Sequence, residues 1–303
     1  MGGRPMTDGV LLVDVDSTIP NLALMHISTW KKEEGQRVGF NISDPAEIYA
    51  SCVFDWNRHK TDGLRFLYPN AKIDIGGGGI DLHKNLPEGV DKLMPDYSLY
   101  PACDYDLGFT TRGCPNKCPF CVVPTKEGQL RRNQHPREFH DPSHKKAVYM
   151  DNNILADRAW FFEVTDWLLA NHMAVDFNQG LDLRRIDKEI AERIAELKPM
   201  NNWRFAYDSL AVTPGVMRGL DLLKNAGVNL RNKGLIYVYL DGDHDFDSAL
   251  ERCQRMREYG VLTYPMFNRH AKRTQRMTDL KRWARPWFFF TMDFKTYQEG
   301  RKC

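Results

Sequence analysis

Cys114, Cys118 and Cys121 lie in the run Gly108-Phe-Thr-Thr-Arg-Gly-Cys-Pro-Asn-Lys-Cys-Pro-Phe-Cys-Val-Val-Pro124, which spaces three thiols as C-x3-C-x2-C on one short loop. Thiolates are the usual ligands of iron-sulfur clusters, and a four-iron cluster held by only three of them keeps one iron open for chemistry. A structural zinc ion is the competing use of such a set, with His135, His140 or His144 in range as a fourth ligand. Zinc sites more often pair two C-x2-C knuckles, and a second knuckle is missing from this chain.

With Phe120 standing before the last cysteine, the loop resembles the signature of the radical S-adenosylmethionine (SAM) superfamily, C-x3-C-x-aromatic-C. The resemblance implies that Cys114, Cys118 and Cys121 bind three irons of a [4Fe-4S] cluster, that the amino and carboxylate groups of SAM chelate the fourth, and that Phe120 lies beside the adenine. It further implies reductive cleavage of the sulfonium C–S bond and hydrogen abstraction by a 5′-deoxyadenosyl radical. A reductant protein such as flavodoxin or ferredoxin would deliver the electron. The cofactors carry that step, and the protein orients and shields it.

The elements that must position this loop follow from patterning. Leu11–Val15 reads as a strand and Asn21–Gly35 as a helix; Ala46–Phe54 and Ala71–Ile75 are further strands, the last running into Gly76, Gly77, Gly78 and Gly79. This alternation predicts an α/β fold with a doubly wound, Rossmann-like N-terminal domain over 1–100. A glycine run after a strand suits both a phosphate-binding turn and a plain flexible one. Placed before the cysteine loop, the domain resembles the cobalamin-binding-type domain of many radical SAM enzymes, with Gly76–Gly79 as its glycine loop. The D-x-H-x-x-G motif is absent after the first strand, where Asp14, Asp16 and Ser17 stand, so the histidine ligand to cobalt is missing and a domain without cobalamin is favoured over a loaded one.

Prolines between Leu86 and Pro101 mark a linker, and beyond it six strand candidates recur, at Tyr105–Thr111, Ala147–Met150, Ala174–Phe177, Trp203–Tyr207, Leu235–Leu240 and Val261–Phe267. Helical patterns separate them, for example Ile186, Ile190, Ile194 and Leu197 on one face. The radical SAM resemblance implies that residues 101–268 form a partial (β/α)6 barrel of the TIM type, with the cysteine loop after its first strand.

Active sites of parallel barrels gather at the C-terminal strand ends. Asp151, Asn152 and Asn153 follow the second strand, where the resemblance implies contacts to the SAM amino group, although the family's Gly-Gly-Glu is replaced. Gln179 and Asp182, with Arg184 and Arg185, follow the third; either arginine could grip a carboxylate, and Asp182 could equally cap the helix starting near Ile186. Asp208 ends the fourth, where the family commonly binds the ribose. Asp241, Asp243, His244 and His270 read as surface or helix-end groups, and Tyr237, Tyr239 and Tyr264 as packing.

With 303 residues and a formal charge of +2, the chain has an ordinary globular composition that neither demands nor excludes a polyanionic partner. Seven cysteines, of which Cys52, Cys103, Cys253 and Cys303 are scattered singly, make no disulfide framework and fit a reducing compartment. No apolar run is long enough to span a bilayer and no secretory segment opens the chain, so a cytoplasmic protein without a membrane partner is expected. A C-terminal extension, 269–303, is basic: seven lysines and arginines between Asn268 and Pro286 face one acid, Asp279. With Trp283 and Trp287 it suits either a solvated helix face or phosphate contact and base stacking, so nucleic acid through 269–285 is one partner to test.

Three functions compete on these residues. The first is SAM-radical chemistry on a small molecule. The second is radical modification of RNA or protein, since Cys121-Val-Val-Pro124 resembles the methylthiotransferases; that group also carries three further N-terminal cysteines and a C-terminal RNA-binding barrel, whereas here Cys52 and Cys103 are too few and no barrel follows residue 290. The third is a non-catalytic zinc- or cluster-binding module that recognises nucleic acid.

Overall fold

A computed structural model describes residues 9–300, so Cys303 and the end of the basic extension lie outside the described residues. The chain forms a mixed α/β structure with parallel sheets, divided into two compact units. The first holds the residues up to Gly108 together with Gln134–His144; the second holds Phe109–Asn133 and the chain from Lys145 onward. Pro101 thus lies inside the first unit, and the basic segment after residue 268 belongs to the second.

In the first unit, strands β1 (Val10–Asp14), β2 (Val38–Gly39), β3 (Glu47–Ser51) and β4 (Lys72–Gly76) pair in parallel in the order β2-β1-β3-β4. Alternate residues of a strand point to opposite faces, and both faces here are apolar. Val10, Leu12 and Tyr49 pack with Leu24 and Ile27 on one side, and Leu11, Ile42 and Ile48 with Val13 and Ile73 on the other. Helix Leu22–Glu33 covers the first side; Asn21 caps it by accepting from the Leu24 N–H, while the Asn21 amide donates to Ser17 and Ser51 and so ties the cap to the loop after β1 and to the end of β3.

The glycine run after β4 has a packing reason. A Cβ on Gly77, at φ +97°, would stand 2.2 Å from the Cys52 carbonyl oxygen, and one on Gly79 would stand 2.5 Å from the Phe54 carbonyl carbon. Two glycines therefore let the β4 exit lie directly on the β3 exit. Asp16 organises the same place: its carboxylate accepts from the Val53 and Phe54 N–H groups at 2.7 and 3.0 Å and from the Asn57 amide. Burial acts to raise its pKa, but those donors outweigh it and hold Asp16 below the ordinary carboxylate range.

Strand β5 (Asp106–Gly108) closes the first long segment of this unit. Asp106, 1% exposed, accepts from Nδ1 of His140 at 2.6 Å, Nδ1 of His144 at 2.9 Å and the Asp141 N–H at 3.0 Å, which fastens residues 134–144 to the unit.

In the second unit the first barrel-strand candidate ends in a short antiparallel pair, β6 (Thr111–Arg112) with β7 (Arg131–Arg132). Strands β8 (Lys146–Tyr149), β9 (Ala174–Phe177) and β10 (Lys198–Pro199) are parallel, as are β11 (Trp203–Ala206), β12 (Gly234–Leu240) and β13 (Leu262–Phe267). A parallel bridge between Leu181 and Phe205 links the segment after β9 to β11. Helices Arg158–Ala170, Lys188–Glu196, Thr213–Asn225 and Phe246–Tyr259 alternate with these strands. Among the described residues no helix is long and apolar enough to cross a membrane.

Two aromatic residues of the basic segment divide sharply. Trp283 is fully buried, packs edge-on against Phe289 and Phe294 and donates its indole N–H to the Met292 carbonyl, so it is core and not a stacking platform; Trp287 is exposed.

The two glycine environments separate in a stability measurement. Gly77→Ala is expected to lower unfolding free energy by roughly 2 kcal/mol or more, because backbone must move at a left-handed position. Gly78→Ala, whose Cβ would meet nothing nearer than the Val53 oxygen at 3.6 Å, is expected to be neutral or slightly stabilising in the same urea titration.

Candidate metal centre

Residues 113–121 are anchored at their start by backbone. Gly113, at φ +79°, lies so close to Gln129 that a Cβ would stand 2.2 Å from its carbonyl oxygen; its N–H donates to Asn152 Oδ1 at 3.1 Å, and the Cys114 N–H donates to the Gly128 carbonyl. At the other end the Cys121 N–H donates to the Cys118 carbonyl, closing a turn that brings those two thiols onto one short arc. The sulfurs receive N–H donors: Asn116 N–H and the Asn153 amide on Cys114 at 3.4 and 3.6 Å, and Val123 N–H on Cys121 at 3.4 Å. Such donors favour thiolates and tune cluster potential.

All three thiols are half-buried. Burial pushes Cys118 up, with Asp208, Cys121 and Cys114 adding to the shift and Arg184 opposing it. Burial likewise pushes Cys121 up, countered by the Val123 N–H and reinforced by Cys114 and Asp208. Burial and the neighbouring negative groups thus oppose ionisation of Cys118 and Cys121, a cost that a bound cation would offset. Among the described residues no three His, Cys, Asp or Glu side chains converge tightly enough to hold a single metal ion. His140 and His144, the sequence candidates for a zinc ligand, both engage Asp106 in the first unit, and His135 caps a turn there by accepting from the Arg137 N–H.

The three residues after β8 have separate jobs. Asp151 is nearly fully buried: it accepts from the Thr110 hydroxyl at 2.8 Å and from the Thr111 N–H and hydroxyl, pinning the segment that leads into the cysteine loop. Burial outweighs these donors and pushes its pKa up to about 6. Asn152 holds Gly113. Asn153, 4% exposed, donates to Cys114 and Asp182, while its Oδ1 is buried with no hydrogen-bond partner. The carboxylate of Asp182 fixes which end of this amide faces it, since only the NH2 group can donate. An orphaned acceptor beside the first cysteine fits the ammonium group of an amino acid.

Asp182 is the hub of this cluster. It accepts from Arg184 through both oxygens at 2.7 Å, from Asn116 of the cysteine loop at 3.1 Å and from Asn153 at 3.4 Å. Burial acts to raise its pKa, but the Arg184 hydrogen bonds and charge and the Asn116 amide prevail and hold it low. The expected capping role falls elsewhere: the helix begins at Lys188 with Asp187 as its cap, and Asp182 caps only the short turn Leu183–Arg185. Arg184 grips a carboxylate of its own chain. Gln179 is exposed and bonds the adjacent Asn178, outside this network.

Asp208, after β11, is pushed up by burial against the opposing charges of Arg252 and Arg184 and the Tyr239 N–H. Arg252, from helix Phe246–Tyr259, has no exposed surface; it donates to the Tyr207 and Tyr239 carbonyls at 2.9 and 2.8 Å and to Asp245 at 3.0 Å, joining the ends of β11 and β12. Sequence reasoning missed it because a lone arginine on an amphipathic helix carries no signal of which way it points. Phe120 stacks on Tyr239, with centroids 3.9 Å apart and planes at 18°, so Tyr239 faces the cysteine loop instead of packing in a core. Tyr264 likewise stands exposed.

No protein-family model matches this chain, and no curated protein matches it in sequence.

The Asp151 anchor predicts a pH signature. Its folded pKa lies above the unfolded value of 3.8, so its contribution to stability is complete below that value and is lost as pH rises through about 6. Chemical denaturation between pH 4 and 7 should therefore show a loss from this group of about 3 kcal/mol at most in the parent. Asp151→Asn removes that slope, so the variant should gain on the parent as pH rises.

Proposed function

We propose that the chain is a radical SAM enzyme. The observation that carries the reading is the orphaned Asn153 oxygen beside Cys114, on a loop that presents three thiols at C-x3-C-x2-C spacing. Cys114, Cys118 and Cys121 would hold the [4Fe-4S] cluster, and Asn153 Oδ1 would accept from the amino group of SAM. When bound, the cluster and SAM supply one-electron reductive cleavage of SAM and, from it, hydrogen abstraction from a substrate.

The chain's own residues do the positioning. Asp151 and Asn152 hold the backbone at Thr111 and Gly113; Asp182 draws Asn116 and Asn153 together; Arg252 ties the ends of β11 and β12 near Asp208, the candidate for the ribose. Phe120 and Tyr239 offer aromatic faces to the adenine. Electrons would come from a flavodoxin- or ferredoxin-type donor.

Strand order supports the architecture implied by this reading. Parallel pairing of β8 with β9 and of β11 with β12 and β13, with the Leu181–Phe205 bridge between the two sets, is compatible with an open parallel (β/α) barrel, and the order β2-β1-β3-β4 with a doubly wound sheet. For the N-terminal unit the favoured form is a cobalamin-type fold without cobalamin: the cobalt histidine is missing, and Gly77 and Gly79 are accounted for by backbone contact alone.

Anaerobic reconstitution is expected to yield about four irons and four sulfides per chain, and reduction with SAM to release 5′-deoxyadenosine. Cys114→Ala, Cys118→Ala and Cys121→Ala should each abolish that product, and Asn153→Ala should weaken SAM binding about tenfold. One zinc per chain with no SAM cleavage would sink the proposal. Cobalamin added to the same preparation should be lost on desalting.

A further inference from the structure

The β12–β13 pair is buried on one face, through Ile236, Val238, Thr263 and Pro265, and open on the other. Register sets Tyr237 opposite Tyr264 and Tyr239 opposite Met266 on that open face, where Tyr264 and Met266 are 43% and 45% exposed. Tyr239 stacks on Phe120 of the cysteine loop, and Tyr237 meets Tyr264 edge-on at 5.8 Å. A row of aromatic rings thus leads from the cysteines along one sheet face to β13.

Cations line the far side of that row. Lys281 Nζ stands 4.7 Å over the Tyr264 ring, and the Arg273 guanidinium 5.5 Å over Phe267. A cavity of about 450 Å³ opens between β13 and helix Gln275–Trp283, with Arg273, Lys281, Arg282 and Arg285 on its wall. Arg276 of the same helix is neutralised by both oxygens of Asp243 at 2.7 Å, whereas these four form no ion pair among the described residues.

We propose that this groove binds a single-stranded nucleic acid, with phosphates on Arg273, Lys281, Arg282 and Arg285 and a base on Tyr264. Four cations without counter-charges call for a ligand with repeated negative charge, and the exposed ring between them calls for one with flat π faces; a single strand has both. An acidic peptide would satisfy the charges and leave Tyr264 unused. A small metabolite would occupy one end of the groove. The aromatic row directs the strand toward Phe120, so a bound strand would also be the substrate, a link that rests on the function proposed above.

Binding is tested on the full chain without cluster or SAM, so its failure and failure of SAM cleavage are distinguishable. Fluorescence anisotropy would use labelled oligouridylate and oligothymidylate of about 15 nucleotides across a salt series. Each phosphate contact to a single strand contributes about 0.7 to the slope of log K against log salt, so a slope of about −2 to −3 is expected. The triple variant Arg273→Gln, Lys281→Gln, Arg285→Gln should lose about 2 from that slope, and Arg282→Gln alone about 0.7. Tyr264→Ala should weaken binding about tenfold with the slope unchanged, a separation that a merely structural tyrosine would not give. Binding without salt dependence, equal affinity for polyglutamate with no effect of Tyr264→Ala, a mononucleotide held as tightly as the oligomer, or preference for a duplex would each overturn the proposal.

Discussion

The three-cysteine loop depends on a carboxylate that is nearly fully buried. Asp151 gathers the Thr110 hydroxyl and both donors of Thr111, and through them fixes where the chain turns into Gly113 and Cys114. Three half-buried thiols beside one another are costly to ionise in place, as the raised pKa values of Cys118 and Cys121 reflect. Rigid backbone on both sides makes that arrangement sustainable: Asp151 and Asn152 on the strand side, the Gly128–Gln129 carbonyls on the other. The deep burial that makes Asp151 hard to ionise is the same burial that keeps water away from the bonds it makes.

Legibility in the sequence followed the range of the interaction. Strands at Ala174–Phe177 and Leu235–Leu240, and the apolar face of helix Lys188–Glu196, are written in nearest-neighbour periodicity, and the structure has them within a residue or two. The cysteine spacing is equally local. Asp182 shows where this fails: a carboxylate before a helix has a local reading as a cap, and nothing in its neighbours tells that it faces Asn116 from 66 residues away. Arg252 is the extreme case, since a fully buried guanidinium and a surface arginine look alike on a helical pattern.

The glycine run and the tryptophans carry a further lesson. Both were legible as unusual, and in both the physical cause is packing. Gly77 and Gly79 exist because two strand exits touch backbone to backbone, and Trp283 because three short helices at the end of the second unit need a common core with Phe289 and Phe294. Tyr239 and Tyr264 invert the error: read as packing, Tyr239 stacks on Phe120 of the cysteine loop and Tyr264 stands exposed on the sheet. Residue type alone does not separate a buried ring from an offered one; the parity of its position along the strand does.

The clasp of Asp106 on His140 and His144 has a consequence for how this chain can be inherited. Because Gln134–His144 belongs to the first unit while the residues on either side of it belong to the second, the polypeptide passes between the units three times. Neither unit can be exchanged by one crossover in a gene. A first unit cut at Gly108 would leave Asp106 without either imidazole, and the remainder would carry both histidines without their carboxylate partner. Separating the units intact therefore takes three cuts, at Gly108, before Gln134 and after His144.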